Sequence, residues 1–349
     1  MKDLPPFALS CPVPPKTNET IELAHGGGGL MTRRLIEDVF RPAFAAKPED
    51  LTHDGAVIEI DGARLAFTTD SYVVRPLFFP GGDIGALAVH GTANDLAMCG
   101  AEPLFLSAGL VMEEGFAIDA LRRIVVSMRE AAAATGVRLV TGDTKVVERG
   151  KGDGLYINTS GVGRVIAAAP VAPQEVRPGD AVLLSGDIGR HGIAVMAARE
   201  SLGFETELAS DLAPLAPLTC RLIEEEIPLH CLRDLTRGGL ATALIEIALT
   251  ARVDIRIEDA AIPVSEPVRG ACEILGLDPL YTANEGRFIA ILPAGAASRA
   301  LAIMKTYDGA AALIGEVTPA RGPGTVRLET IGGDRALDLL TGEQLPRIC

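Results

Sequence analysis

Several features that would indicate a cross-linked or membrane-bound protein are missing from this sequence. No two cysteines form a C-x-x-C pair, so neither a zinc ribbon nor a disulfide framework is indicated. The first residues lack the apolar segment of a signal peptide, and no run of 18 residues has the apolar density of a membrane span. We therefore expect a soluble cytoplasmic protein with reduced thiols. The cysteines are Cys11, Cys99, Cys220, Cys231, Cys272 and Cys349.

Positive charge is also scarce. The sequence has 32 lysines and arginines against 46 aspartates and glutamates, which gives a formal net charge of −14. This balance argues against duplex nucleic acid or an anionic membrane as the main partner. Any phosphate ligand must therefore be held locally, by backbone amides, a metal ion and a few cations. The chain has 349 residues, of which 48% are hydrophobic, and this predicts two domains with folded cores.

The residue pattern predicts an α+β protein of layered sheets and helices rather than a doubly wound sheet. The first half contains a hairpin pattern around Asp61-Gly62, the favoured two-residue turn, and helix patterns over 84–99 and 118–135. The second half has strand patterns at 181–185, 253–257, 288–292 and 312–317, and helix patterns at 193–202, 211–226, 238–251 and 297–307. The predicted organisation is a Pro-rich arm (1–24), an N-terminal domain (25–167), a linker (168–180), a C-terminal α+β domain (181–340) and a mobile tail (341–349).

Two glycine-rich segments precede helix patterns, one at His25–Gly29 and one at Gly186–Gly192. Neither has the spacing of a dinucleotide-binding fingerprint or of a P-loop. A strand, a glycine-rich turn and a helix in succession nevertheless form a context in which a helix N-terminus can bind phosphate. His25 and His191 both lie beside glycines, and whether either contacts phosphate is left open.

The chain ends in Cys349, a position that no following segment can enclose. Residues from Gly342 onward are polar and interrupted by Pro346, and chain ends are where order is lowest. Eight extended residues would reach about 26–28 Å. The cysteine could therefore visit more than one place, or it could simply be a spare residue at a ragged end.

Asp95 lies in the middle of the otherwise apolar pattern over 84–99. A buried carboxylate without compensation is costly, so Asp95 is expected to meet a cation, unless it serves as a helix cap or makes a hydrogen bond in the core. Asp234 or Thr236 could likewise cap the helix predicted over 238–251.

Six motifs and the ending Pro346-Arg347-Ile348-Cys349 resemble, in order and spacing, the HypE family of [NiFe]-hydrogenase maturation proteins. That family belongs to the superfamily of aminoimidazole ribonucleotide synthetase and selenophosphate synthetase. The resemblance extends from about His25 to Cys349, and the Pro-rich arm has no counterpart in it. The motifs are Thr68-Thr69-Asp70-Ser71, Pro80-Gly81-Gly82-Asp83-Ile84-Gly85, Gly91-Thr92-Ala93-Asn94-Asp95-Leu96-Ala97, Val140-Thr141-Gly142-Asp143-Thr144-Lys145-Val146-Val147, Asp234-Leu235-Thr236-Arg237-Gly238-Gly239 and Asn284-Glu285-Gly286.

The resemblance implies a two-domain fold whose N-terminal sheet pairs with a second copy in a homodimer, with ATP near the domain and dimer interface. The activity it implies is ATP-dependent dehydration of an S-carboxamide on Cys349 to a thiocyanate, which supplies the cyanide ligand of the hydrogenase iron. The implied partners are the carbamoyltransferase HypF, which loads Cys349, and the HypC–HypD iron scaffold, which accepts cyanide. No nucleic acid or membrane is expected.

The resemblance also implies roles for individual residues. Asp54, Asp95 and Asp234 are the expected Mg²⁺ ligands, and Asp54 follows His53 where the superfamily usually has a second acid. The expected ATP-binding residues include Asp70 and Asp143, in the same acidic cluster, and Asn94. We predict that the amides of Gly186, Gly189 and Gly192 bind phosphate under a loop formed by Gly26, Gly27, Gly28 and Gly29.

For catalysis, Lys145 is the expected cation for the transferring phosphoryl group or the carbonyl oxygen, and Glu285 the expected base. Arg347 is expected to seat the tail on an acidic rim. Two alternatives stay open. One is a catalytically idle carrier of a carbamoyl group, and the other is a small-molecule synthetase of the selenophosphate or aminoimidazole ribonucleotide type. The intact Asp, Lys and Glu set argues against the first, and the cysteine pattern argues against the second.

Overall fold

The computed structural model describes residues 20–44, 52–200, 208–342, 345 and 347–349. Residues 1–19 of the expected extended arm lie outside the described residues, as do residues 343, 344 and 346 of the expected tail. Within the described residues, no helix is both long enough and apolar enough to cross a membrane.

Two sheets and the helices around them make up the described chain. The strands are β1 (Ala56–Ile60), β2 (Ala63–Tyr72), β3 (Phe78–Phe79), β4 (Gly82–Asp83), β5 (Ala101–Glu113), β6 (Arg138–Val147), β7 (Leu155–Val165), β8 (Asp180–Leu184), β9 (Cys231–Asp234), β10 (Val253–Glu258), β11 (Phe288–Pro293), β12 (Ala312–Pro319), β13 (Val326–Thr330) and β14 (Gly333–Leu337). The helices are α1 (Leu30–Leu35), α2 (Arg41–Phe44), α3 (Ile84–Met98), α4 (Ile118–Thr135), α5 (Arg190–Arg199), α6 (Ala216–Glu224), α7 (Gly239–Ala251), α8 (Glu266–Leu275) and α9 (Ala294–Tyr307).

The first sheet has the order β1-β2-β7-β5-β6, in which only β5 and β6 run parallel. The predicted hairpin is confirmed, because Ile60 pairs with Ala63 across a turn in which Asp61 and Gly62 both have positive φ. Helices α3 and α4 cover one face of this sheet, and their apolar side chains form a core with the strands. The opposite face is open, and Phe67 and Phe105 are about 40% exposed there.

Helix α3 is buried along nearly its whole length, as its apolar sequence predicts. Asp83 caps it by accepting hydrogen bonds from the amides of Gly85 and Ala86. Gly91 allows close packing, because a Cβ atom at this position would lie 2.2 Å from the Tyr72 hydroxyl oxygen. The helix therefore lies directly on the sheet and carries Asp95 between the two domains.

The second sheet has the order β14-β13-β10-β12-β8-β11-β9, with α7 against one face and α6 and α9 against the other. The mixed sheet between helical layers confirms the α+β class. Strands β9, β13 and β14 and helix α8 were not predicted.

The predicted helix over 211–226 is shorter in the structure, since α6 begins only at Ala216. Tertiary hydrogen bonds fix the preceding backbone in an irregular form. The Asn94 side chain accepts from the Leu215 amide and donates to the Ala213 carbonyl, while the Asp211 carboxylate accepts from the Glu285 amide. These contacts override the local helical pattern.

The segment 168–180, predicted as a linker, packs against the second sheet. The Ala172 amide donates to the His230 carbonyl at 2.9 Å, and the side chains of Val171 and Val176 are buried. The connection between the two sheets is therefore tightly held in this structure.

Candidate active site

A cluster of three carboxylates lies where the two sheets meet. Asp54 lies just before β1, Asp95 in α3 and Asp234 at the end of β9, and the three side chains can each offer an oxygen within 4.8 Å of the others. The structure therefore brings together the three residues predicted as metal ligands, from three separate elements and both domains.

Burial and the charges of nearby carboxylates favour the protonated forms of these carboxyl groups. They raise the pKa of Asp54 to about 6 and that of Asp234 to about 7, and they raise the pKa of Asp95 well above its ordinary value. Burial is the largest cause in each case. The Arg233 guanidinium opposes the shift of Asp54, to which it is paired at 2.9 Å.

The cluster fits a hard divalent cation such as Mg²⁺. Carboxylate oxygens are the ligands that such ions prefer. In addition, the second oxygen of Asp54 is buried and accepts no hydrogen bond from the described residues. A cation bound there would occupy this oxygen and remove the repulsion that raises the three pKa values.

Asp70 lies beside the cluster, as predicted. Its charge raises the pKa of Asp54, Asp95 and Asp234, and its carboxylate is 3.7 Å from the Arg237 guanidinium. Thr68, two residues earlier in β2, was missed as a site residue. Its hydroxyl lies 2.9 Å from both the Asp95 carboxylate and the Asp54 carbonyl, so it links the two ligand-bearing segments.

The prediction that Asp143 lies in the same cluster is wrong within one chain. Asp143 and Lys145 form an ion pair at 3.3 Å on edge strand β6, and both side chains are more than 70% exposed. The strand order puts three inter-strand spacings, about 14 Å, between β6 and the β2 strand that carries Asp70. The register also places Asp143 and Lys145 on the open face of the sheet, whereas Asp70 shares the helix-covered face with Thr159.

The structure does not support Gly189 and Gly192 as phosphate-binding residues. The Gly189 amide donates to the Asn284 side-chain oxygen at 2.7 Å, and the Gly192 amide donates to the Ala283 carbonyl at 3.1 Å. Helix α5 begins at Arg190, three residues before the predicted start, and the loop from Thr282 to Arg287 covers its N-terminus. Gly186 packs against the Arg287 guanidinium, where a Cβ atom would lie 2.7 Å from it.

Asn94, predicted to bind ATP, has its amide group occupied by the protein. Its nitrogen donates to the carbonyls of Ala213 and Glu285, at 3.1 and 3.3 Å, and its oxygen accepts from the Leu215 amide. Asn94 therefore ties α3 to the Glu285 loop.

The glycine loop lies at the N-terminus of α7. A Cβ atom on Gly28 would lie 2.8 Å from the Arg237 side chain, and a Cβ atom on Gly29 would lie 2.6 Å from the Leu340 carbonyl oxygen. The Arg237 guanidinium donates to the Gly26 carbonyl at 3.0 Å. Gly27 and Gly29 line a small cavity together with Gly238 and the tail residues Leu345 and Ile348. The loop thus covers the junction of α7 and the tail.

Glu285 is buried, with 3% of its surface exposed, and one of its carboxylate oxygens has no hydrogen-bond partner in the described chain. Its pKa is raised well above the ordinary value, first by burial and then by the charges of Asp234, Asp70 and Asp211, while Arg237 opposes the shift. Arg287 holds the loop in place through 2.7 Å contact with the Asp187 carboxylate. Such a buried, unpaired carboxyl group is well suited to proton transfer.

The described part of the tail is docked beside this loop. Residues 347 and 349 pair in antiparallel fashion with residues 73–75, and the side chains of Leu345 and Ile348 are buried. Arg347 forms an ion pair with Asp153, as predicted for a residue that seats the tail on an acidic group. The expectation that the tail also leaves this position stays a prediction.

Whether His25 or His191 contacts phosphate was left open by the sequence, and in the structure both histidines contact protein groups. His25 accepts from the Glu22 amide at 2.9 Å within its own turn. His191 is fully buried, with one ring nitrogen 2.8 Å from the Ser210 hydroxyl oxygen and the other 2.7 Å from the Ile348 carbonyl oxygen. His191 is therefore in direct contact with the tail.

Comparisons with known proteins agree on one family. Family models described as AIR synthase related protein, N-terminal domain and C-terminal domain, match residues 52–165 and 177–327. "Carbamoyl dehydratase HypE" of Azotobacter vinelandii is 50% identical over 335 residues, covering 95% of this chain and 98% of the relative. The protein of the same name from Escherichia coli K12 is 47% identical and covers 94% and 99%.

Solved structures give the same result. A structure described as a HypE–HypF complex matches with a TM-score of 0.82 at 47% identity, over 88% of this chain and 99% of that one. A structure of HypE in complex with ATP matches with a TM-score of 0.80 at 46% identity, over 95% and 100%. The more distant AaThiL, at 18% identity and a TM-score of 0.66, shares the fold.

Proposed function

Since the chain belongs to the HypE family of carbamoyl dehydratases, which are hydrogenase maturation proteins, we propose that it makes the cyanide ligand on its own Cys349. In the proposed reaction, ATP phosphorylates the oxygen of an S-carboxamide on this cysteine. Loss of that oxygen as phosphate, together with both N–H protons, leaves a thiocyanate, ADP and inorganic phosphate. The observation that carries the proposal is the docked tail, whose Leu345 and Ile348 line one cavity with Ala283, two residues before the buried Glu285.

Asp54, Asp95 and Asp234 would hold Mg²⁺ in this reaction. The ion would neutralise the charge of the triphosphate and so favour transfer of the phosphoryl group. The protein contributes the arrangement of the ligands, which Thr68 and Arg233 stabilise by a hydrogen bond and an ion pair. ATP binding is supported by the similar structure that contains ATP.

Glu285 removes the amide proton in the proposed mechanism. Burial and the charges of nearby carboxylates raise the pKa of Glu285 and so favour its protonated form in the metal-free site. A cation held by Asp234 would screen one of the charges that cause this shift, and Glu285 would then accept a proton more readily as the base. Its burial also keeps water away from the reacting carbon.

Lys145 is proposed to act from a second copy of the chain. In one chain Lys145 lies on the open face of the sheet, three strands from Asp70. The proposed role as the cation at the phosphoryl group requires Lys145 to lie close to that group. Pairing of two open faces in a homodimer would cover Phe67 and Phe105 and bring Lys145 of the partner subunit toward the site.

The proposed partners are HypF, which would load the carbamoyl group, and a HypC–HypD scaffold, which would accept the cyanide. The similar structure described as a HypE–HypF complex supports the first of these. We also place the reaction in the cytoplasm, because it consumes ATP and needs a reduced thiol.

The decisive experiment is a mass measurement of the C-terminal peptide after incubation with the carbamoyltransferase and carbamoyl phosphate, with and without ATP. A carbamoyl adduct on Cys349 that loses one water only when ATP is present is the expected result. An adduct that persists with ATP would instead indicate an idle carrier, and no adduct at all would favour a small-molecule synthetase. Cys349→Ser, which offers no thiol and is expected to keep ATP binding, is the control.

A further inference from the structure

The docked tail leaves one carbonyl group that its strand pairing cannot satisfy. The amides of Val73 and Arg75 donate to the carbonyls of Cys349 and Arg347, each at 3.2 Å. Successive carbonyls of an extended strand point to opposite sides, so the Ile348 carbonyl points away from residues 73–75. The Ile348 side chain is only 3% exposed. A carbonyl buried in this way needs another donor.

His191 supplies that donor from the second residue of α5. Its Nε2 lies 2.7 Å from the Ile348 carbonyl oxygen. Because a carbonyl oxygen only accepts, Nε2 must carry the hydrogen, and Nδ1 must then accept from the Ser210 hydroxyl at 2.8 Å. The Ser210 oxygen in turn accepts from the Leu212 amide at 3.0 Å. The chain of donors and acceptors thus fixes one tautomer of the neutral ring.

The ring itself has no freedom to move. His191 is 0% exposed, and Phe79 packs edge-on against it with ring centroids 5.4 Å apart. Burial lowers its pKa, although the charge of Asp211 opposes the shift. His191 therefore presents a single, rigidly directed N–H group to the tail.

We propose that His191 is a positioning residue, which holds the Ile348 carbonyl and thereby sets the place of Cys349 beside the active site. This inference rests on the proposed function in taking Cys349 as the carrier of the reacting group. His191 acts through the tail backbone, so its removal should release the tail while the carboxylate cluster and Glu285 keep their places.

The test measures how readily iodoacetamide alkylates Cys349 in the full-length protein, without ATP or carbamoyl phosphate. Mass spectrometry of the C-terminal peptide gives the rate, and the buried Cys231 reports any global unfolding. His191→Leu removes the donor and should raise the rate about tenfold, since an unpaired buried carbonyl disfavours the docked state. His191→Gln, which keeps an N–H donor, should stay within about twofold of the parent. An unchanged rate in a folded His191→Leu protein would overturn the proposal.

A double-variant comparison separates this role from ordinary core packing. Ile348→Asp should release the tail by itself, because it places a charge in an apolar pocket. Adding His191→Leu to Ile348→Asp should then change the rate of Cys349 alkylation by less than about twofold. If the two effects multiply instead, His191 acts elsewhere and the proposal fails.

If His191→Leu does not fold, Ser210→Ala provides the second route, because it leaves the ring in place and removes the group that fixes its tautomer. A rise of about threefold in the alkylation rate is expected, and no rise would contradict the proposal. Since none of these measurements uses the dehydration reaction, a failed carbamoyl assay and a failed tail assay can be told apart.

Discussion

At the scale of single residues, burial first and the charges of nearby acids second raise the pKa values of the three clustered carboxyl groups. Asp95 could be predicted as a site residue because a carboxylate in an apolar helix needs a partner, and the structure supplies the Thr68 hydroxyl. Thr68 could not be predicted as this partner, because it reaches Asp95 only through the packing of α3 on β2, whereas Asp54 and Asp234 were expected beside Asp95 from the family resemblance.

The raised pKa values predict that the metal-free protein becomes less stable as the pH rises. Asp54 and Asp234, with pKa values of about 6 and 7, bind protons in the folded state that the unfolded chain has already released. The stability that they contribute is therefore fully present below about pH 4 and is lost as the pH rises through 6 and 7. Thermal melting in a chelator should give a Tm a few degrees lower at pH 8 than at pH 5.5.

Magnesium should remove most of this difference, since it binds the ionised cluster and stabilises the fold by mass action. Asp95→Asn, which removes one titrating carboxyl group of the cluster, is the matched control and should show a smaller loss of Tm between the two pH values. A metal-free melting temperature that is independent of pH would contradict the assigned environment of the cluster.

Glu285→Gln is predicted to stop dehydration while the tail still accepts a carbamoyl group. The amide has the same shape but cannot take a proton, and a positioned base typically contributes about 10²–10⁴-fold to a rate. The measurement is the fraction of carbamoylated C-terminal peptide that loses water with ATP. ATP binding, followed by calorimetry, should be preserved, and water loss at the parent rate would rule out Glu285 as the base.

At the scale of elements, sequence patterns located most helices and strands but not their interactions. Helix α3, helix α4 and the first hairpin follow from apolar periodicity and turn chemistry, which act locally. Residues 211–215 also have a helical pattern, yet the side chains of Asn94 and Asp211 fix them in another form. The glycine turn before α5 was misassigned for the same reason, because the Asn284 loop already occupies the Gly189 amide.

The close contact between α3 and β2 predicts a specific sensitivity to substitution. Gly91→Ala would place a Cβ atom 2.2 Å from the Tyr72 hydroxyl oxygen, so the helix or the strand must shift. We expect a loss of about 1–3 kcal/mol in the free energy of unfolding, measured by urea denaturation. Gly295→Ala in α9 is the control, because no atom lies within 4 Å of the added carbon. That variant should be neutral or slightly stabilising, and equal effects at the two sites would argue against the packing described.

At the scale of the whole molecule, one chain contains only part of the proposed machinery. The carboxylate cluster lies near Glu285, and the tail contacts the loop that carries Glu285, whereas Lys145 lies on the open face. The sequence motifs group all of these residues, because a motif does not distinguish contacts within a chain from contacts between chains.

A mixture of two inactive variants should regain activity if Lys145 acts from the partner subunit. Lys145→Ala and Glu285→Gln chains, each inactive alone, would form mixed dimers in which one site combines an intact Glu285 with an intact Lys145 of the partner subunit. After random exchange the mixture should reach about one quarter of the parent rate. No recovery in verified mixed dimers would mean that both residues act within one chain.

The open sheet face should be needed for assembly. Phe105→Glu would introduce a charge at a residue that is 40% exposed in the single chain and central to that face. We expect light scattering after size exclusion to show monomers and the dehydration rate to fall at least tenfold. Ile331→Glu, at a fully exposed turn between β13 and β14, should leave the dimer intact. A dimeric Phe105→Glu protein would point to another interface.

Strand β6 also affects how readily a chain aggregates before it forms the proposed dimer. Its ten residues lie at the margin of the sheet, pair only with β5 among the described strands, and expose Leu139, Val140 and Val146. A long, exposed edge strand can pair with unrelated chains, and charged side chains such as those of Asp143 and Lys145 discourage this pairing. If the proposed homodimer covers this strand, a newly made chain that has not yet paired should be prone to aggregate. The yield of active protein should therefore depend on the rate at which chains pair. It should fall when the concentration of new chains is low or when chaperones are absent.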